Sequence, residues 1–139
     1  MSKNNFFFQI MDGRVPLPEC AKTLGTKFTK VDTEAGTLEV EFEGREAFLN
    51  PAGNIQGGFL AAMLDDTLGP ALVATLGQGE FAPTLNLNVQ FHRPGKTGKF
   101  VGNGRVISRG RDICHLAGEL RQDGKIVASA TATAAIRKL

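Results

Sequence analysis

Several residue types that build specialised protein sites are absent or scarce in this 139-residue sequence. It has no tryptophan and no tyrosine, only two histidines and two cysteines, and a formal net charge of +2. So small a charge gives no argument for nucleic-acid binding, and a stacking platform for single-stranded bases would need phenylalanine alone. Neither His92 nor His115 belongs to an acid–histidine cluster with metal-ligand spacing. The sequence therefore predicts no nucleic-acid partner and no metal site.

The two cysteines, Cys20 and Cys114, fit no metal-binding spacing either. A disulfide between them is one interpretation, and two buried thiols in a reducing cytosol are the one we favour. No apolar run reaches the ~20 residues of a membrane span. The N-terminal apolar run is broken by Gln9 and Asp12 and is shorter than a signal-peptide core. We therefore expect a soluble cytoplasmic protein without a membrane partner.

Two familiar catalytic motifs are excluded by the residues at their key positions. The GKT stretch at Gly95–Thr97 would need a glycine where Gln90 stands to form a phosphate-binding loop. Serine occurs only at positions 2, 108 and 129, and none of them lies in a Gly-x-Ser-x-Gly elbow. Cys114 and His115 are neighbours on a predicted strand, so their side chains point to opposite faces and do not form a catalytic pair.

The length and composition suit one domain with one core. Hydrophobic residues make up 42% of the chain and charged residues 22%. We expect this domain to span residues 1–139. Because Phe6, Phe7 and Ile10 have helical spacing, residues 1–15 are predicted to form a short helical extension that packs on the body.

Most of the chain alternates apolar and polar residues, which predicts five or six largely antiparallel strands, each with one buried face. In the strand predicted at 84–92, the residues expected to face inward are Leu85, Leu87, Val89 and Phe91. Asp123-Gly124 predicts a type I′ hairpin turn. The clearest strands are predicted at 37–43, 84–92 and 125–136, and weaker ones at 99–108, 113–121 and 23–31.

One long helix is predicted from about Gly58 to Leu76, where leucine recurs every four residues. Pro70 lies inside it and lacks an N–H group, so a kink is expected there. The predicted buried stripe consists of Leu60, Met63, Leu64, Leu68, Ala71 and Leu72.

A second face of this helix is small and carries one acid, Asp65, while Asp66 lies nearer the apolar side chains Phe59, Met63 and Val73. Small residues allow a ligand or another backbone to come close, so we favour Asp65 as the site residue. A surface or capping role for both acids is the alternative. The members of this small face are Gly58, Ala61, Ala62, Asp65 and Gly69.

The stretch from position 50 to 66 resembles the signature of the PaaI-like acyl-CoA thioesterases, which have the hot-dog fold. That signature is an asparagine, then a His-Gly-Gly turn, then an aspartate nine residues after the histidine. Asn50, the pair Gly57 and Gly58, and Asp65 match it, and Thr84 stands where the family has serine or threonine.

One position departs from the signature, because Gln56 occupies the place of the histidine. Glutamine can donate and accept a hydrogen bond as neutral histidine does, but it cannot carry a proton charge near pH 7. A mechanism that needs histidine as an acid is therefore not expected in this chain.

The resemblance implies an α+β hot-dog fold, an antiparallel sheet of five to six strands wrapped around one long central helix. It also implies hydrolysis of acyl-CoA thioesters to free acid and coenzyme A, with no cofactor, because coenzyme A is part of the substrate. In this mechanism the Gly57 N–H donates to the thioester carbonyl, and Gly58 lets the substrate approach. Asp65 acts as general base or nucleophile, and Thr84 orients it or the water.

In the same family pattern, Asn50 and Gln56 would position the carbonyl or the water. The resemblance further implies that the aspartate comes from one subunit and the Asn–Gly pair from its partner. We therefore expect a homodimer, assembled as a tetramer.

A basic span is expected to bind the coenzyme A phosphates. From Thr67 to Arg111 the only acid is Glu80. A solvated basic strand face is the alternative. The cations of this span are Arg93, Lys96, Lys99, Arg105, Arg109 and Arg111, of which Arg93, Lys96, Arg109 and Arg111 are the predicted substrate contacts.

Two other functions remain open at this point. The first is a non-catalytic acyl-CoA-binding protein of the same fold, in which Asp65 is structural. The second is a hot-dog dehydratase or hydratase, which usually pairs a histidine with an acid. The second is disfavoured because no histidine lies between residues 1 and 91.

Overall fold

The computed structural model describes residues 4–138, so the first three residues of the predicted extension lie outside the described part. Within this range, three helices, one 3₁₀ turn (Glu46–Phe48) and eight strands follow one another. The helices are α1 (Phe6–Met11), α2 (Glu19–Leu24) and α3 (Gly57–Val73). The strands are β1 (Lys27–Asp32), β2 (Thr37–Gly44), β3 (Glu80–Phe81), β4 (Thr84–Phe91), β5 (Gly98–Arg109), β6 (Ile113–Gln122), β7 (Lys125–Ala135) and β8 (Arg137–Lys138).

Six of the strands form one sheet in the order β1-β2-β5-β6-β7-β4, and every neighbouring pair is antiparallel. Strands β3 and β8 pair separately. Helix α3 packs against β5, β6, β2, β7 and β4, so the sheet wraps around it. This confirms the predicted α+β hot-dog arrangement.

The core lies between α3 and the concave face of the sheet, where the predicted leucine stripe is buried. Two sheet glycines let the helix come close. A Cβ atom on Gly104 would stand 2.9 Å from the Thr67 carbonyl oxygen, and one on Gly118 would stand 2.7 Å from Leu68 Cδ2. A side chain at either glycine would therefore push the helix away from the sheet.

Local patterns predicted most of these elements correctly. On β2, Leu38, Val40 and Phe42 are buried as the alternation predicts. The turn between β6 and β7 has positive φ at both central residues, 51° at Asp123 and 77° at Gly124, as a type I′ turn requires.

The prediction for β4 is wrong at two positions, because Leu85 and Phe91 are each 56% exposed. Strand β4 is an edge of the sheet, and in the described part of the chain it pairs with β7 alone. The pairing also shifts between Thr84 and Asn86, which takes Leu85 out of register. On an edge strand, apolar side chains can stay exposed to solvent, whereas on a central strand the neighbouring strands help to cover them.

The predicted start of the first strand, at residue 23, is also wrong, because α2 occupies residues 19–24. Gly25, in the left-handed region at φ 66°, ends this helix and turns the chain into β1. Cys20 lies on α2 and is exposed, which contradicts the expectation of two buried thiols. Cys114 is buried, and both thiols are free.

Candidate active site

Two clefts lie beside opposite halves of α3. The Asp65 cleft, of about 470 Å³, contains Asp65, Asp66 and Thr84. The Gly57 cleft, of about 360 Å³, contains Asn50, Gly57 and further residues of the loops around the start of α3. The predicted site residues are thus divided between two places on one chain.

In the Asp65 cleft, the Thr84 hydroxyl donates a hydrogen bond to Asp65 Oδ1 at 2.9 Å. Thr84 is the first residue of β4, and Asp65 lies midway along α3, so the edge of the sheet brings the two side chains together. Asp65 is exposed, and within residues 4–138 its second carboxylate oxygen has no hydrogen-bond donor. A carboxylate held by one donor and open on the other side can accept a proton from a water molecule.

The neighbouring acid, Asp66, has a different environment. Its side chain is half-buried, and the Thr26 hydroxyl donates to Asp66 Oδ2 at 2.7 Å. Burial raises the pKa of Asp66 to about 6, against the opposing effect of the Thr26 hydrogen bond and with a smaller contribution from the charge of Asp65. Each of the two adjacent acids accepts a hydrogen bond from one threonine hydroxyl, but the Asp65 side chain is exposed whereas the Asp66 side chain is half-buried.

In the Gly57 cleft, α3 begins with two glycines whose N–H groups have no intrahelical acceptor. The cap residue Gln56 is exposed, makes no capping hydrogen bond, and no acid lies in the first turn. The positive end of the helix dipole is therefore uncompensated. A Cβ on Gly57 would stand 3.1 Å from the Phe91 ring, whereas one on Gly58 would meet nothing within 4 Å. This helix terminus is open to an oxygen atom that carries negative charge.

The loop before α3 is organised by Asn50. Its Oδ1 accepts hydrogen bonds from the N–H groups of Ala52 at 3.0 Å and Asn54 at 3.1 Å. Within the described residues no group accepts from its Nδ2, which remains able to donate into the Gly57 cleft. The side-chain oxygen thus holds the loop while the side-chain nitrogen is available to a ligand.

Two of the predicted cations lie at this cleft. Arg93 lines it and donates to the Ile126 carbonyl at 2.9 Å. Lys96 donates to the side-chain oxygen of Asn54, another residue of the cleft. Both partners are neutral, so both cations keep their net charge beside the cleft.

The other cations of the basic span lie apart from the Gly57 cleft. Arg109 donates to the Thr75 carbonyl oxygen at 2.9 Å, just beyond the end of α3, and Arg111 lies on the turn between β5 and β6. Three of the cations have carboxylate partners, namely Lys99 with Glu41, Arg105 with Glu119 and Arg111 with Asp112. One chain therefore does not bring Arg109 and Arg111 to Arg93 and Lys96.

Gly57 and Asp65 lie in different clefts of the chain. Gly57 and Asp65 are eight residues apart on α3, about 12 Å along the axis at ~1.5 Å per residue. The Asp65 carboxylate therefore does not reach a carbonyl bound at the amide of its own Gly57.

Two features of these clefts have no clear signal in the sequence. The Thr26 contact to Asp66 joins residues 40 positions apart. Phe91 packs against Gly57 because β4 lies beside the start of α3, although the alternation predicts this ring in the core.

Among residues 4–138, no three His, Cys, Asp or Glu side chains are grouped as a metal site. No helix in that range has the length and apolar character of a membrane span.

Comparisons with protein-family models and with solved structures both match this chain to thioesterases. A family model described as the thioesterase superfamily matches residues 52–129. A candidate thioesterase from Ralstonia eutropha JMP134, described as phenylacetic acid degradation-related, is 48% identical to this chain, with a TM-score of 0.93. That alignment covers 94% of this chain and 99% of the other. A comparison with curated proteins finds no match.

Two more distant structures share the fold. The PaaI protein from the phenylacetic acid degradation operon of E. coli is 22% identical, with a TM-score of 0.82, and the alignment covers 96% of this chain and 93% of that one. A hypothetical thioesterase from Streptococcus pneumoniae TIGR4, solved with coenzyme A, is 23% identical, with a TM-score of 0.73. Its alignment covers 81% of this chain and 86% of the other.

Proposed function

The chain belongs to the thioesterase superfamily and is a thioester hydrolase, and from this we propose that it hydrolyses acyl-CoA thioesters to a free acid and coenzyme A. The observation that carries the proposal is the pairing of an open carboxylate, Asp65, with the Thr84 hydroxyl in one cleft. A distant relative solved with coenzyme A supports a substrate of this type.

Asp65 is the group that we propose to act on water. As general base it takes a proton while the water oxygen attacks the thioester carbonyl carbon. The tetrahedral intermediate then collapses, the carbon–sulfur bond breaks, and the thiolate leaves and takes up the proton. Direct attack of Asp65 on the carbonyl is the alternative route, in which water later hydrolyses the mixed anhydride. In both routes Thr84 keeps the carboxylate in place.

The negative charge on the carbonyl oxygen is stabilised at the Gly57 cleft. The N–H of Gly57 and the Nδ2 of Asn50 are the proposed donors, and the helix dipole adds to their effect. Gln56, the cap residue of the same helix, is proposed to position the carbonyl or the water with its neutral amide. No titrating group is needed on this side, because these donors act on charge that develops in the transition state.

A complete site combines the Asp65 cleft of one subunit with the Gly57 cleft of its partner. The distance of about 12 Å along α3 supports this arrangement. The exposed edge strand β4, with Leu85 and Phe91 open, supports a second copy packed beside it. We therefore propose a homodimer as the smallest active unit, and assembly into a tetramer stays a prediction.

Arg93 and Lys96 are the proposed contacts for the coenzyme A phosphates, because both are uncompensated by acids beside the Gly57 cleft. The nucleotide end of the substrate thus lies on the subunit that supplies the oxyanion donors. Arg109 and Arg111 stay predictions that require a neighbouring subunit to bring them to the same substrate.

Two inactive variants, Asn50→Ala and Asp65→Asn, test the shared site when they are unfolded and refolded together. If the two groups come from different chains, a mixed dimer holds one site with both defects and one site with neither. Random mixing makes about half of the dimers mixed, so activity is expected to return to about a quarter of wild type. Native mass spectrometry confirms that mixed dimers have formed.

No recovery in a preparation that contains mixed dimers would contradict the shared site. The reaction class is tested separately with wild-type protein and an acyl-CoA panel. Release of free thiol supports hydrolysis. Hydration of an enoyl-CoA would indicate a hydratase, and binding without turnover would indicate a non-catalytic acyl-CoA-binding protein.

A further inference from the structure

Much of the Asp65 cleft is built by the N-terminal part of the chain, which takes no part in the hydrolysis chemistry. We propose that this segment, the N-terminal wall, closes the far end of an acyl chamber and determines which acyl groups are hydrolysed. The inference rests on the proposed function and adds the substrate selectivity. The side chains of the wall are Phe6, Phe7, Ile10, Leu17, Pro18 and Ala21.

The N-terminal wall is held in place by a buried asparagine. Asn5 has no exposed surface, and its Nδ2 donates to the carbonyl oxygens of Ala74 at 3.1 Å and Leu76 at 2.9 Å, just beyond the end of α3. Its Oδ1 accepts from the Phe8 N–H at 3.1 Å and caps α1. One side chain therefore satisfies groups in two helical segments and ties the wall to the helix that carries Asp65.

Aromatic contacts fix the same segment from the other side. Phe7 is buried, and its ring centre lies 5.0 Å from that of Phe28 on β1 in an edge-to-face arrangement. Phe6 and Ile10 remain partly open and line the cleft. The wall is thus anchored by Asn5 and Phe7, while its cleft-facing side chains are free to contact a ligand.

The opposite wall leaves room for a ligand. Gly69, Pro70 and Val73 of α3 face the cleft, and a Cβ atom added at Gly69 would meet nothing within 4 Å. The volume of about 470 Å³ is within the roughly 300–1,000 Å³ of small-molecule sites. An apolar chamber with Asp65 at one place on its surface fits the hydrocarbon part of an acyl group whose thioester carbonyl lies at Asp65.

The remaining polar group of the chamber narrows the substrate class further. Asp66 lines the same cleft, so an acyl group that ends in a carboxylate would meet a second acid in a partly dry site. We therefore expect uncharged acyl groups of limited length. The residues that the family model matches, 52–129, do not include the N-terminal wall.

The test measures kcat/KM of the full chain over straight-chain acyl-CoAs from acetyl to lauroyl, with detection of free thiol. In wild type, kcat/KM is expected to rise by about fourfold per methylene and then to fall where the chain meets α1. Phe6→Ala is expected to move the maximum to longer chains. The compared quantity is kcat/KM for the first substrate longer than the wild-type optimum, divided by kcat/KM at that optimum. This ratio should be at least fivefold higher in Phe6→Ala than in wild type.

Gly69→Met fills the chamber from the opposite wall with a flexible unbranched side chain and is expected to move the maximum to shorter chains. Met11→Ala is the matched control. Met11 lies on α1 like Phe6, is similarly exposed (46% against 41%), and does not line the cleft. Its chain-length profile should superimpose on that of wild type.

Three outcomes are distinguished. If wild type hydrolyses acyl-CoAs but the profiles of folded Phe6→Ala and Gly69→Met match wild type, the selectivity role of the N-terminal wall is wrong and the proposed function stands. If wild type hydrolyses none of the series, the inference of a chamber for straight acyl chains fails, and the acyl-CoA panel decides separately whether the proposed function fails too. If thermal unfolding shows that Phe6→Ala is not folded, Gly69→Met decides the question.

Discussion

Replacing Asp66 by asparagine measures what the second acid costs the fold. Asp66 is half-buried on α3, and Thr26 donates to one of its carboxylate oxygens. Asparagine has nearly the same shape and keeps an oxygen that accepts this hydrogen bond. The substitution therefore removes the charge and leaves the packing almost unchanged.

The size of the effect follows from the pKa of Asp66, which burial raises from 3.8 to about 6. This difference of about two pKa units corresponds to at most about 3 kcal/mol, at about 1.36 kcal/mol per unit. Between these two pKa values the folded protein binds more protons than the unfolded chain, so stability falls as the pH rises. Below pH 3.8 both states are protonated, and above about pH 6 the whole cost is present.

The measurement is the free energy of unfolding of wild type and Asp66→Asn at pH 4 and pH 7.5, at one protein concentration because the protein is proposed to be a dimer. The advantage of the variant is expected to grow by about 2 kcal/mol between these pH values, because part of the unfolded chain is already ionised at pH 4. In a chain of this size that equals a rise in the unfolding midpoint of about 8 °C. Asp65→Asn, at the neighbouring exposed carboxylate, is the matched control.

A stability difference between Asp66→Asn and wild type that stays constant from pH 4 to pH 7.5 would refute this reasoning. A variant that becomes less stable than wild type as the pH rises would show that the ionised carboxylate stabilises the fold. In that case the hydrogen bond from Thr26 would outweigh the cost of burial.

Two further predictions concern activity. Asp65→Asn is expected to lower kcat by at least ~100-fold without unfolding the protein, whereas Asp66→Asn keeps most of the turnover; the reverse result in steady-state kinetics would reassign the base. Replacing Arg93 and Lys96 together by glutamine is expected to raise KM for an acyl-CoA and to weaken the increase of KM with salt, while Lys99→Gln, which loses a contact to Glu41 instead, serves as the control. An acyl-pantetheine, which lacks the nucleotide phosphates, should bind weakly and respond little to salt, and an equal salt response of both substrates would contradict the phosphate contacts.

Predictions from local patterns were correct where the pattern itself determines the structure. The leucine stripe of α3, the alternation of β2 and the turn at Asp123-Gly124 each depend on residues a few positions apart. Helical and strand periodicity decide which side chains share a face before any tertiary contact forms. The distinction between Asp65 and Asp66 is also local, since the two acids point to different faces of one helix.

The predictions that were wrong concern features that depend on which elements lie side by side in the folded chain. The edge position of β4 left Leu85 and Phe91 open, and no alternation pattern shows whether a strand is central or at an edge. The short helix that ends at Gly25 was predicted as the start of a strand. Its six residues are too few to show a helical periodicity in the sequence.

The sequence by itself determined the long helix and most of the strands, and its resemblance to a known family gave the sheet-around-helix architecture. The role of Asp65 stays a prediction. The tertiary structure alone decided the contacts between distant segments, such as Thr26 with Asp66 and Asn5 with the chain beyond α3. It also decided which cations pair with carboxylates and which, at the Gly57 cleft, hydrogen-bond only to neutral oxygens. The physical reason is that periodicity is a property of near neighbours, whereas burial and charge pairing depend on how close the folded chain brings residues that are far apart in sequence.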